Sequence, residues 1–176
     1  VWQRPFSLDS VWDALTHLSA LTPRGAVIWE CRGSGGQAAY LLGASRIHIG
    51  KIEQVFRAHG DIQFHNVAHR TRTPVKVCRQ IKISHPVLSL NTEIAEAVVR
   101  AGLAAMTEDK RGVETVLQIV LGRGFAPYST PADFPNPDAS WLSVLLGTVN
   151  KASVEQRKTA RQKAELHGFV AAIRVG

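Results

Sequence analysis

Cysteine is scarce: Cys31 and Cys78 are the only two in 176 residues, and they are too far apart to form a C-x-x-C pair. That excludes a disulfide framework and a cysteine zinc site, and makes a reducing, cytoplasmic setting the expectation. Long apolar runs are missing as well. No stretch approaches the roughly 18 residues a membrane-spanning helix needs, and no basic leader runs into an apolar core as in a secretory signal, so a soluble segment is expected. Acids are outnumbered, 14 Asp and Glu against 21 Lys and Arg, which leaves a formal charge of +7. Such an excess suits an anionic partner but names none. What is present is a 45% hydrophobic share with 20% charged residues, enough to bury a core and to exclude disorder by composition. The length suits one ordinary domain or two small ones of roughly 80 to 90 residues. The chain starts at Val1 and stops at Val175-Gly176, at the end of an expected strand, so a segment of a longer polypeptide is expected.

Ser7-Leu8-Asp9-Ser10 supplies helix-capping chemistry, and Val11, Trp12, Leu15 and Leu18 follow at helical spacing, which predicts an amphipathic helix over 9–21. After Thr22-Pro23-Arg24-Gly25, the β-rich run 26–31, the turn Gly33-Ser34-Gly35-Gly36 and the run 38–42 predict a hairpin over 26–42. Ile49, Ile52, Val55, Phe56 and His59 form a second helical stripe ended by Gly60, and 61–67 is expected as a strand. With an extended lead over 1–8 that carries Trp2 and Phe6, the order strand, helix, strand, strand, helix, strand is the split β-α-β unit of ferredoxin-like folds. His69-Arg70-Thr71-Arg72-Thr73-Pro74 reads as a basic linker. Beyond it, 75–83 is expected as a strand, and Asn91 as the cap of a helix bearing Ile94, Ala97, Val98, Ala101 and Ala105. The run 114–121 is the strongest strand in the chain. A long loop with Pro127, Pro131, Pro135 and Pro137 is expected at about 123–150, with a short strand or helical turn at 141–146. Ser153 caps a charged helix reaching His167, and 169–175 closes with a strand. The fold class expected is therefore α+β, two tandem ferredoxin-like units with mainly antiparallel sheets, at 1–68 and 75–176 with the linker 69–74 between them. Trp12, Trp29, Ile94 and Val120 are the expected core.

Catalytic chemistry is largely absent. Gly50-Lys51 is the only G-K pair and Ile52 follows it, where a phosphate-binding loop needs Ser or Thr to hold magnesium. The seven histidines form no H-E-x-x-H, and no G-x-S-x-G elbow occurs. Glu30 and Glu114 are isolated acids without an evident partner. Arg123-Gly124-Phe125-Ala126 resembles the start of an RNA-recognition strand, but Pro127 stands where that motif needs an apolar residue. No catalytic residue, cofactor or metal is expected, and a small enzyme of unrecognised type is the least favoured reading.

Cations cluster twice. Arg70, Arg72, Lys76, Arg79 and Lys82 border the linker, and Lys151, Arg157, Lys158, Arg161 and Lys163 crowd the last helix. Arg70, Arg72, Lys76, Arg157, Lys158, Arg161 and Lys163 are the candidate surface for DNA or for a protein partner. A solvated helix face, balanced by Glu155 and Glu165, is the plainer explanation of the second cluster. A surface that tracks phosphates is the functional one.

Several stretches together carry a resemblance: Arg4-Pro5-Phe6-Ser7-Leu8-Asp9, Gly25-Ala26-Val27-Ile28-Trp29-Glu30, Tyr40-Leu41-Leu42-Gly43-Ala44, Arg57-Ala58-His59-Gly60, Gln118-Ile119-Val120-Leu121-Gly122, Lys163-Ala164-Glu165 and the closing 168–176. Over nearly its whole length the chain resembles the soluble region preceding the motor domain in conjugative DNA-transfer ATPases of type IV secretion systems. The resemblance implies a non-catalytic assembly or docking role, with a phosphate-binding motor beyond Gly176. It implies partners among other secretion-system proteins or the chain's own motor domain, with DNA and further copies of the chain as additional ones. A cytoplasmic place at the inner face of the membrane, through the parent protein, goes with it. The alternative is a stand-alone nucleic-acid-binding module using its basic surfaces.

Overall fold

A computed structural model describes residues 7–21, 25–60, 62–66, 74–82, 93–108 and 112–176. Among the described residues five helices, α1 (Leu8–Leu21), α2 (Ile49–Gly60), α3 (Ala95–Thr107), α4 (Trp141–Leu145) and α5 (Val154–Ala164), accompany five strands. The strands β1 (Val27–Ser34), β2 (Gln37–Gly43), β3 (Arg79–Ile81), β4 (Thr115–Phe125) and β5 (Gly168–Val175) form one open sheet in the order β2-β1-β4-β5-β3, antiparallel at every pairing. The fold class is α+β with an antiparallel sheet.

The hairpin β1–β2 forms where the sequence places it. Its turn needs positive φ at two successive residues, and Gly35 and Gly36 supply φ of 56° and 77°, the two-residue turn whose twist matches antiparallel strands. Against the inner edge of β1 lies β4, with Glu30 opposite Gln118 and Val27 opposite Leu121. Among the described residues there is thus one sheet rather than two, and it joins strands from both sides of the expected boundary at 69–74. An edge of β1 that a strand at 61–67 would have served is taken by the stronger apolar run of β4. Of that expected strand, Ile62 makes a single bridge and 63–66 are not strand. The strand expected over 75–83 shrinks to β3, which pairs Arg79 with Val175 and Ile81 with Ile173, while 74–78 and Lys82 are not strand. Ile83, Asn91 and the linker 69–73 lie outside the described residues.

One face of the sheet carries the core. Ala14 and Leu18 of α1, Ile52 and Val55 of α2 and Val27 of β1 are buried together, with Leu42, Phe56, Leu121 and Phe169 packed against them. Gly124 permits the close approach of α1, since a Cβ there would meet the Ser19 carbonyl oxygen at 2.5 Å. The core departs from expectation at four aromatic and aliphatic positions. Trp12 is 50% exposed and Ile94 is exposed as well, while Trp29 and Val120 are half-buried. Two residues of helix turn by about 200°, so once Ala14 faces the sheet Trp12 points away from it. Trp29 still packs, with its ring 5.8 Å from Phe56 and 6.3 Å from Tyr40 between centroids.

The long loop is shorter than its prolines suggest. β4 runs on to Phe125 through an irregularity between Leu121 and Gly124. The segment 141–146 resolves as the helix α4, its first turn capped by Ser140, whose Oγ accepts from the Ser143 N–H. Ser153 caps α5 as expected, and Gln156 returns the bond to the Ser153 N–H in a capping box. The helix stops at Ala164, before His167. The connection is pinned to α5 at its start, where the Tyr128 N–H donates to the Ala164 carbonyl at 2.9 Å.

Candidate functional site

Side chains alternate along a strand. With Val27 and Trp29 facing the helices, Glu30 and Arg32 fall on the opposite face of the sheet, on β1 between β2 and β4. Both are buried, at 2% and 8% exposure. Arg32 Nε donates to Glu30 Oε1 at 2.7 Å and its Nη1 to Glu114 Oε2 at 2.9 Å. Gln118, directly across on β4, donates Nε2 to Glu30 Oε2 at 2.8 Å, and Arg174 on β5 reaches Gln118 Oε1 at 3.4 Å. A polar row therefore crosses β1, β4 and β5 at one level. Burial disfavours the Arg32 cation, but its bonds to Glu30 and Glu114 outweigh that, so its pKa lies above the ordinary value.

This cluster joins Glu30 and Glu114, the two acids singled out in the sequence, through a cation the sequence reading passed over. Both oxygens of Glu30 accept hydrogen bonds, so the carboxylate is already committed and presents no free base to a substrate. What the arrangement can do is hold register: a one-residue slip of β4 would carry Gln118 to the other face and leave Glu30 buried beside an apolar neighbour.

The basic candidates separate. Arg70 and Arg72 lie outside the described residues, and Lys76 is exposed just before β3. On α5, Arg157 is half-buried and bonded through Nη1 to Asp133 Oδ1 at 2.9 Å, while Lys151 Nζ holds Asp133 Oδ2 at 2.8 Å. Lys158 and Arg161 are exposed on the outer side of the helix, and Lys163 is half-buried. Glu165, one turn beyond Arg161, shares that outer side. The sequence missed Asp133, a loop acid with no marker for its partners. Hydrogen bonding and charge from Lys151, then charge from Arg157, hold the Asp133 carboxyl below its usual range. A carboxylate so depressed stabilises the fold above its unfolded-state pKa of about 3.9 and loses that contribution as pH falls through the lower folded value. Asp133→Asn should therefore melt below wild type near neutral pH, and the two melting temperatures should converge as pH falls through the lowered folded value. A gap that persists in acid would assign the loss to something other than this charge.

Elsewhere, His17 and His59 meet edge to face at 5.8 Å between ring centroids, and His167 Nδ1 lies 3.1 Å from Ser19 Oγ. Among the described residues no three His, Cys, Asp or Glu side chains gather as metal ligands. An open hollow of about 390 Å³ is lined, among the described residues, by Arg57, Ile62, Gln63, Phe64 and His65. No helix among the described residues is long and apolar enough to cross a membrane.

The most extensive unusual surface is apolar. On α3, Ile94, Val98 and Val99 are exposed, and on α4 Trp141 and Leu145 are 73% and 75% exposed, with Val144 and Leu146 beside them. Scattered apolar residues on a surface are ordinary, but a short helix exposing a tryptophan and three aliphatic residues together is the kind of patch that marks an interaction site. Comparison with protein families, with curated proteins and with solved structures finds no match for this chain.

Proposed function

We propose that the chain is a non-catalytic assembly or docking region of a type IV secretion DNA-transfer ATPase, supporting conjugative DNA translocation. The observation that carries the docking half of this reading is the exposed apolar side chains of α4, Trp141 and Leu145 above all. The resemblance of the sequence supplies the machine it would dock into, its own motor domain or another secretion-system protein. The buried acids support the same view, since Glu30 is bound on both oxygens and offers positioning rather than chemistry. The finer fold reading, two ferredoxin-like units at 1–68 and 75–176, belongs to the proposal too, with the described strands of both joined in one sheet.

Donor cells carrying Trp141→Asp with Leu145→Asp in the parent protein should transfer DNA roughly tenfold less well or worse, an interface loss of about 1.4 kcal/mol or more, at unchanged protein level. Unchanged transfer would overturn the docking surface. The nucleic-acid alternative rests on the exposure of Lys158 and Arg161. If they contact phosphates, removing both charges should flatten the salt dependence of DNA affinity by about 2 units of log–log slope. Docking predicts no change.

A further inference from the structure

Two histidines meet where the core helices α1 and α2 pack together. Ala14 and Leu18 form the buried stripe of α1, and Ile52 and Val55 that of α2. His17 lies one turn beyond Ala14 and His59 one turn beyond Val55, so each flanks its stripe. His17 is exposed and His59 half-buried. Their ring centroids are 5.8 Å apart, with the planes at 88°. Among the described residues neither imidazole has a hydrogen-bond partner, so their nitrogens are available, and neutral imidazole is the commonest metal ligand in proteins. We propose that His17 and His59 together bind one divalent transition-metal ion between α1 and α2, with water in its remaining positions.

The separation suits shared coordination. A metal of this class holds an imidazole nitrogen at about 2.0–2.1 Å, and roughly 1.1 Å more reaches the ring centre, so two imidazoles on one ion have centroids about 5 to 6 Å apart. The χ2 torsion of histidine is soft. Turning each ring aims a nitrogen at a common ion while α1 and α2 keep their places. The position favours a cation. His59 stands in the last turn of α2, where carbonyls without intrahelical partners form the negative end of the helix dipole. Arg57 shares that turn, but its guanidinium lies 4.0 Å from the Glu53 carboxylate, which offsets its charge. Ligands carried on packed helices are also held more closely than ligands on loops. Among the described residues no third His, Cys, Asp or Glu joins the pair, so the ion keeps open positions, unlike a closed structural site. The site is independent of docking through α4, and either stands if the other fails.

Calorimetric titration of the metal-free wild-type chain with divalent nickel, an ion that imidazole suits, should show one ion bound with a dissociation constant below about 0.1 mM. His17→Gln and His59→Gln should each weaken that binding roughly tenfold or more with an unchanged circular dichroism spectrum, while His65→Gln should not. The melting temperature of the wild type should rise with nickel, because the ion binds the folded chain, and that of either variant should rise less. Wild-type binding weaker than about 0.1 mM, or an affinity that survives either substitution, would each overturn the proposal. Should a variant fail to fold, nuclear magnetic resonance of the wild type decides. Paramagnetic nickel must broaden the ring signals of His17 and His59 before those of the other histidines, and broadening centred elsewhere defeats the site.

Discussion

Arg32→Met should destabilise the protein by about 3–5 kcal/mol in urea melts, because it strands a buried carboxylate. The Arg32 side chain is 9% exposed and bonds both Glu30 and Glu114. Once the cation is gone, Glu30, with a side chain 3% exposed, loses the guanidinium on Oε1 and keeps the Gln118 amide on Oε2. Glu114 is 30% exposed and can turn outward at little cost. The double variant Arg32→Met with Glu30→Leu separates the penalty of an orphaned charge from a general loss of packing. Replacing a whole buried ion pair with apolar groups of similar size is often neutral, so the double variant should recover most of what the single one loses. A double variant as unstable as the sum of the two single losses would show no coupling between the residues and assign the loss to packing rather than to an uncompensated charge. A single-variant loss below about 1 kcal/mol would mean that the carboxylate relaxes into solvent.

Leu18→Ala should cost about 2–5 kcal/mol, the range for deleting a large aliphatic side chain from a packed core. Leu18 has no exposed surface and lies where α1, α2 and β1 converge on Ala14, Val27, Ile52 and Val55. None of these is long enough to fill the space that opens. Trp12→Ala is the paired control on the same helix. Although tryptophan is the larger side chain, half its surface is already in water, and its loss should fall nearer the usual surface value of about 0.5 kcal/mol. Reversed magnitudes in parallel denaturation curves would mean that α1 is rotated from the orientation described.

The contrast between Leu18 and Trp12 also shows what could be read before the structure. Helical spacing placed α1 correctly, but Val11, Trp12, Leu15 and Leu18 do not say which side of a wide apolar stripe meets the sheet. That was decided by Ala14, whose small size lets the helix approach. Local signals survived best where one residue type is physically required: positive φ at Gly35 and Gly36, the capping pair Ser153 and Gln156, the unbroken apolar run of β4. Pairing between distant strands has no such local signature. Alternation sorts residues onto faces, yet it does not reveal that β4 lies against β1, or that β3 lies against β5. The buried cluster was half legible. Glu30 and Arg32, two apart in an apolar strand, must share a face, and opposite charges sharing a buried face need each other. Asp133 was not legible, because an acid in a proline-rich loop gives no sign that it will bridge Lys151 and Arg157.

The place of β1 between β2 and β4 carries a consequence for synthesis of the chain. Glu30 and the Gln118 that it faces are 88 residues apart. At about 5–20 residues per second, β1 therefore leaves the ribosome roughly 4–18 s before the strand that will cover its inner edge. In that interval the hairpin β1–β2 has both edges open, and one of them is Val27-Ile28-Trp29, apolar and rich in β-formers. Contacts of such long sequence separation also make for slow folding. The nascent chain is thus most exposed to aggregation before β4 is made, and a folding helper would be most useful in that window.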